Sequence, residues 1–210
     1  MISKLNQSYI YIVDDEDEVR NSLAFLMLVA GYQSKKFATA EEFIEYAEPG
    51  IRGCLILDIR LPGASGLELQ QMLHEQGIEI PIIFLTGHGD LPMSRQAFRT
   101  GAVDFIEKPC NDDLLLSTVR EALAKDASRL FEIDAKADLL CRFHTLSRRE
   151  KQVMGLVITG LSSKQIGKQL FISNRTVEVH REHIMHKMEA ESLSALVQMG
   201  VELGLLEHTH

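Results

Sequence analysis

Four acidic or hydroxyl residues and one lysine stand at the ends of successive apolar runs in this chain of 210 residues: Asp14 and Asp15 after 9–13, Asp58 after 54–57, Thr86 after 82–85, and Lys108 with Pro109 after 103–106. In an open α/β sheet the crevice lies at the carboxyl ends of the parallel strands, so positions distant in sequence converge on one pocket. Crowded carboxylates raise each other's pKa unless a cation sits among them. A small, hard, oxygen-seeking ion such as Mg²⁺ suits that role, with Asp14, Asp15 and Asp58 as its ligands. A carboxylate can also attack phosphorus and become an aspartyl-phosphate, which makes Asp58 the candidate nucleophile. The Lys108 ammonium and the Thr86 hydroxyl would then hold the equatorial oxygens. Any one of these residues alone reads as a solvated turn former. The set, in this order and each at a strand end, reads as phosphoryl chemistry.

The elements that must carry them are legible in the periodicity. Residues 18–30 pattern as an amphipathic helix closed by Gly31, 33–37 as an edge strand, and Thr39 with Glu42 as a capping box. Ser65 and Glu68 cap a further helix, and 91–100, with Pro92 tolerated in the first turn, ends at Gly101. Alternating strands and helices predict an α/β fold, a doubly wound five-stranded parallel sheet of order 2-1-3-4-5, followed by a small all-α domain.

Composition sets further bounds. No apolar stretch is long enough to span a bilayer, and the N-terminal residues lack the charged-then-apolar pattern of a secretory leader, so a cytoplasmic protein with no membrane association is expected. Cys54, Cys110 and Cys141 are odd in number and widely spaced, which argues against both a disulfide framework and a zinc site. The net charge of −8 divides unevenly: residues 141–210 hold nine Lys/Arg against seven Asp/Glu, +2, which leaves −10 for the remainder. An acidic regulatory domain joined to a nucleic-acid-binding domain has that asymmetry.

No glycine or proline occurs between Asn111 and Met154, so the last helix of the first domain is expected to run on into a helical linker at 126–143. Val119, Leu123, Asp126, Leu130, Ile133, Ala137 and Leu140 alternate four- and three-residue steps, a heptad seam with one acidic interruption. That seam fits either a helix lying on its own domain or a parallel dimer coil. Beyond it, Ser147 and Glu150 form a capping box, and four helices follow in about sixty residues. The pair 163–171 and 174–188, joined by a tight turn, reads as a helix-turn-helix whose second helix enters the major groove. Val177, Ile184 and Met188 should pack inward, with Glu178, Val179, Glu182 and Met185 toward the groove. The candidate DNA-facing set is Lys164, Arg175, Thr176, Glu178, Val179, Arg181, Glu182, His183 and Lys187, its basic members mainly on phosphates. Glu178 and Glu182 either pair with a neighbouring arginine or accept from cytosine N4. His180, His183 and His186 have no converging cysteine or carboxylate pair, so solvated or phosphate-facing histidines are expected rather than a metal site.

Residues 9–125 resemble the receiver domain of two-component response regulators, through Asp14-Asp15, Leu57-Asp58, the run from Leu61 to Gly66, Thr86-Gly87-His88-Gly89-Asp90, and the run from Gly101 to Pro109. Residues 144–206 resemble the LuxR-type output domain, through the run from Leu161 to Ile166 and the run from Ser173 to His180. Together they are similar to the NarL/FixJ family of transcriptional regulators. The resemblance implies a receiver at 1–125 and a DNA-binding domain at 144–210. It implies phosphorylation of Asp58 by a histidine kinase, with Mg²⁺ held by Asp14, Asp15, Asp58 and the Arg60 backbone carbonyl. Thr86 and Phe105 would be the switch pair, and the phosphorylated protein a homodimer on double-stranded promoter DNA that engages RNA polymerase, not an enzyme. Departures from the pattern are Cys110, where a phenylalanine is frequent, together with Arg60 and His88 beside the pocket, and Glu178 and Glu182, where the family often has lysines. A haloacid-dehalogenase-type hydrolase would also use an acidic first strand, a hydroxyl, a lysine and Mg²⁺, but it leaves Asp58 without a role. A receiver serving only as a passive dimerisation unit would not need all five pocket positions.

Overall fold

The computed structural model describes residues 8–87 and 102–206, and it divides into two compact units, Met1–Arg129 and Leu130–His210. The first contains β1 (Tyr9–Val13), α1 (Asp17–Val29), β2 (Ser34–Phe37), α2 (Ala40–Tyr46), β3 (Gly53–Asp58), α3 (Gly66–Glu75), β4 (Ile82–Thr86) and β5 (Asp104–Glu107). The strands form one parallel sheet of order β2-β1-β3-β4-β5, as the alternation predicts. The helix expected at 91–100 lies outside the described residues.

Parallel strands covered on both faces read as continuous apolar runs. Every residue of β3 is buried, and so are four of the five in β1 and in β4. Side chains alternate between the two faces. Tyr11, Val13, Leu55, Leu57 and Phe84 pack under Phe43 of α2 and Leu69 and Leu73 of α3. Ile10, Ile12, Cys54, Ile56, Ile83 and Leu85 pack under Leu23 and Met27 of α1 and under Leu115, Val119 and Ala122 of the last helix of this unit. Burial on the second face pushes the Cys54 thiol up to about 12, which makes it an inert packing residue. Two sealed layers fix the strand ends, and with them the crevice.

That last helix, α4, runs unbroken over Asp112–Thr145, in agreement with the missing breakers. Its heptad pattern has a different cause in the first half than a coil seam. Val119 is fully buried against the sheet, and Asp126, 1% exposed, accepts hydrogen bonds from the Gly53 N–H at 3.0 Å and from Arg129 at 2.9 Å. The carboxylate is an anchor, not an interruption. Gly53 has φ of +122°, and a Cβ there would stand 1.9 Å from the Tyr9 carbonyl oxygen, so glycine is required where β3 begins. Farther along, Ile133 and Leu140 are exposed while Leu139 is buried.

The second unit adds α5 (Arg148–Ile158), α6 (Ser163–Leu170), α7 (Asn174–Met188) and α8 (Leu193–Glu202). Ser147 with Glu150 and Ser162 with Gln165 form complete capping boxes, and Ser173 and Ser192 cap the next two helices. A Cβ at Gly167 would come within 2.8 Å of the Ile172 carbonyl oxygen, so its absence lets α6 and α7 meet across a tight turn. Val153, Met154, Val157, Ile166, Val177, Ile184, Met188 and Leu196 close the core.

Asp126→Leu, which would perfect a heptad seam, is instead expected to destabilise the receiver by about 2–3 kcal/mol, because it leaves the Gly53 N–H and the Arg129 guanidinium without a buried acceptor. Thermal or urea unfolding of the variant measures this; a stabilised protein would reinstate the coil reading.

Candidate functional site

β1, β3, β4 and β5 end at one edge of the sheet and deliver Asp14, Asp15, Asp58, Thr86 and Lys108 there. One carboxylate oxygen from each of Asp14, Asp15 and Asp58 lies within 4.8 Å of the other two. Asp14 and Asp58 are buried and Asp15 is exposed, so the cluster opens outward on the Asp15 side. The Lys108 ammonium bridges the two buried members, donating to Asp14 Oδ2 at 2.6 Å and to Asp58 Oδ2 at 2.5 Å. Backbone donors complete the cage: Glu16 N–H to Asp14 Oδ1 and Arg60 N–H to Asp58 Oδ1, each at 2.9 Å.

Burial raises the Asp14 carboxyl above its usual 3.8, with Asp58 adding to the rise. Lys108 and the Glu16 N–H oppose it without cancelling it. Burial also pulls on the Lys108 ammonium, but hydrogen bonds to Asp14 and Asp58 outweigh that pull and hold it above the ordinary lysine value. The lysine stays charged, and its single positive charge faces three clustered carboxylates. Hard oxygen donors with surplus negative charge fit a divalent cation of the Mg²⁺ type.

Thr86 sits at the end of β4, where its hydroxyl donates to the Gly87 carbonyl at 2.9 Å and its own carbonyl accepts from the Lys108 N–H at 2.7 Å. Phe105 of β5 stacks on fully buried Phe84, with centroids 4.9 Å apart and planes at 16°. Arg20 was not anticipated from the sequence; its guanidinium holds the Asp14 backbone carbonyl and pairs with Asp17. The spacing of Asp17 and Arg20 on one helix face was the available signal. Cys110 is half-buried against the second sheet face, and burial pushes its thiol up. His88 lies outside the described residues.

In the second unit, Val177, Ile184 and Met188 of α7 are buried as expected. At about 100° per residue, Arg175, Val179, Glu182 and His186 fall within about 40° of the line opposite Val177, flanked by Glu178, His183 and Thr176. Arg175, Thr176, Glu178, Val179, Glu182 and His183 are exposed, and so is Lys164 on α6. His186, absent from the expected contacts, occupies the centre of this face and is exposed. Met185, expected at the groove, packs against the core. Arg181 is half-buried and lines a cavity of about 260 Å³ with Val157, Ile184, Met185, Leu193 and Leu196.

Lys187 donates to Glu150 Oε2 at 2.7 Å, and Glu150 is only 4% exposed. Burial alone would raise the Glu150 carboxyl, but Lys187 and the Ser147 N–H and hydroxyl lower it from 4.5 to about 2. Lys187 is thereby committed to clamping α7 onto α5. Glu178 and Glu182 form no ion pair among the described residues, so the arginine pairing open to them in the sequence is not made. The three histidines of α7 form no candidate metal group among the described residues.

Residues 10–120 match the response regulator receiver domain, and residues 144–200 match the bacterial regulatory proteins of the luxR family. The transcriptional regulatory protein FixJ of Rhizobium meliloti (strain 1021) is 44% identical over 93% of this chain and 96% of its own length. The chain is a LuxR-family response regulator. The response regulator protein TodT of Pseudomonas putida is 41% identical over 91% of this chain and 85% of its own. A solved structure of the response regulator StyR superposes with a TM-score of 0.82 at 39% identity, covering 93% of this chain and 99% of that one. This response regulator is a phosphorylation-dependent transcriptional regulator. Its receiver implies a histidine kinase partner, and its LuxR-family domain implies DNA binding. No helix among the described residues is long and apolar enough to cross a membrane.

Because the folded Glu150 pKa lies below its usual 4.5, the stability it contributes is present above 4.5 and lost as pH falls toward about 2. Glu150→Gln is expected to cost about 2 kcal/mol near neutral pH. Urea unfolding should show that deficit shrinking through this acid window, and a pH-independent deficit would refute the ion-pair role.

Proposed function

We propose that Asp58 accepts a phosphoryl group from a phosphohistidine of the cognate kinase. The P–N bond breaks, an Asp58 Oδ–P bond forms, and the departing imidazole takes up a proton. Asp14, Asp15, Asp58 and the Arg60 backbone carbonyl hold Mg²⁺, which supplies charge neutralisation at the phosphoryl oxygens. Lys108 follows the new charge from carboxylate to phosphoryl oxygen, and the Thr86 hydroxyl turns to donate to it. Movement of Thr86 alters the space beside Phe105, whose ring is the movable side chain at the rim of β5. The observation that carries this reading is the Lys108 ammonium poised between Asp14 and Asp58, a countercharge already in place for an added anion.

The kinase docks on α1. Phe25, Leu28 and Val29 are each more than two-thirds exposed, and a cleft of about 890 Å³ lined by Val19, Leu26, Val29, Lys108 and Cys110 joins that apolar surface to the pocket. A soluble monomer rarely exposes such a patch without a partner for it. Phosphorylation produces a homodimer, which presents two α7 helices to half-sites about one helical turn apart and recruits RNA polymerase to the promoter. The protein works stoichiometrically in the cytoplasm on double-stranded DNA through Lys164, Arg175, Thr176, Glu178, Val179, Glu182 and His183, while the half-buried Arg181 and Lys187 support α7 from within the domain.

Labelling of the protein by a small phosphodonor with Mg²⁺, followed by mass and promoter binding, tests the reading. The wild type should take up one phosphoryl group, dimerise and bind more tightly, and Asp58→Asn should do none of these. Phe25→Asp should keep donor labelling but slow transfer from the kinase roughly tenfold or more, as loss of an aromatic anchor does. An Asp58→Asn protein that still responds to donor would defeat the proposal, and steady release of phosphate from small esters would favour the hydrolase instead.

A further inference from the structure

The outward face of α7 carries a charge pattern at odds with a surface meant for a polyanion. Lys187 is spent on Glu150, and the half-buried Arg181 lies against the cavity above Leu193 and Leu196. Among the described residues, Arg175 is the fully exposed permanent cation of α7, whereas Glu178 and Glu182 both stand exposed. These glutamates are four residues apart on one helix, so they repel each other as well as the phosphates, and no described cation offsets either. Nothing among the described residues accounts for them.

Carboxylates entering the major groove lose water and need donors there. The base edges offer two, the N4 amine of cytosine and the N6 amine of adenine. Adenine places the N7 acceptor beside its amine, which repels a second carboxylate oxygen. Cytosine places only a C–H edge there. Val179, next to Glu178 in sequence and three residues before Glu182 on the exposed side of the helix, is apolar and suits that edge or a thymine methyl.

We propose that Glu178 and Glu182 are specificity-determining residues that accept hydrogen bonds from cytosine N4 amines. Each half-site then carries two cytosines on the contacted strand. Four residues of helix rise about 6 Å, so the two cytosines lie roughly two base-pair steps apart. Arg175 and Lys164 hold phosphates on either side and add affinity without sequence information.

This inference rests on the DNA-binding reading above. The test uses the full chain, treated with phosphodonor and Mg²⁺, to select from a randomised duplex pool. The wild type should enrich cytosine at two positions with that spacing. Glu182→Gln should shift one of them toward adenine, because a carboxamide pairs with adenine N6 and N7. Glu178→Gln should shift the other. Binding of the wild-type site by either variant should fall roughly tenfold, and replacing the contacted cytosine by N4-methylcytosine should weaken the wild type but not the cognate variant. Helical content measured on each variant confirms that these exposed substitutions leave the fold intact. An unchanged base preference in the variants, or a uniform gain in affinity for all sequences, would overturn the readout and leave the glutamates as mere repulsion. A wild type that retains no DNA would instead remove the DNA-binding reading itself.

Discussion

One ammonium between two buried carboxylates sets the terms for the receiver. Asp14 and Asp58 come from strands adjacent in the sheet, and Lys108 reaches both from the far side of β4. A buried pair of anions without this cation would be costly, and a buried lysine without the anions equally so. The rest of the unit answers to that requirement. Sealed layers on both sheet faces hold the strand ends in register, and the Glu16 and Arg60 N–H groups orient the carboxylates. The neutralisation is incomplete, because three clustered carboxylates face a single ammonium. That residual negative charge is what makes the pocket receptive to a divalent cation.

Much of this was legible in the sequence because the signals were local or tied to strand ends. Asp58 and Thr86 follow apolar runs, and a parallel sheet has only one crevice to put them in. The capping boxes at Ser65 and Ser147 mark helix starts within four residues. What escaped involves partners far apart in the chain. Asp126 sits at a heptad position and meets Gly53, and no spacing rule joins residues that distant. The Lys187–Glu150 pair was hidden because Glu150 is on another helix and had a local role as a capping residue. Met185 lies near the boundary between the inner and outer faces of α7, where a helical wheel cannot decide which way a long side chain turns, whereas Arg181 falls about 40° from buried Val177 and its half-burial was legible from spacing alone.

The two domains differ in charge. An acidic receiver adds a further negative group when it is phosphorylated, whereas the basic balance of residues 141–210 favours DNA. A single helix, α4, belongs to both, with its first half anchored by Asp126 and its last turns contributing Leu139 to the second core. Within α7, Lys187 pairs with Glu150 of α5, whereas Glu178 and Glu182 stand exposed without an ion pair among the described residues.

The central claim is that Lys108 is the resident countercharge of the acidic pocket. Calorimetric titration of Mg²⁺ into the unphosphorylated wild type and Lys108→Ala tests it most directly. Removing a competing cation should tighten Mg²⁺ binding, by roughly tenfold for each 1.4 kcal/mol of competition relieved. Weaker or unchanged Mg²⁺ binding in Lys108→Ala would contradict the account.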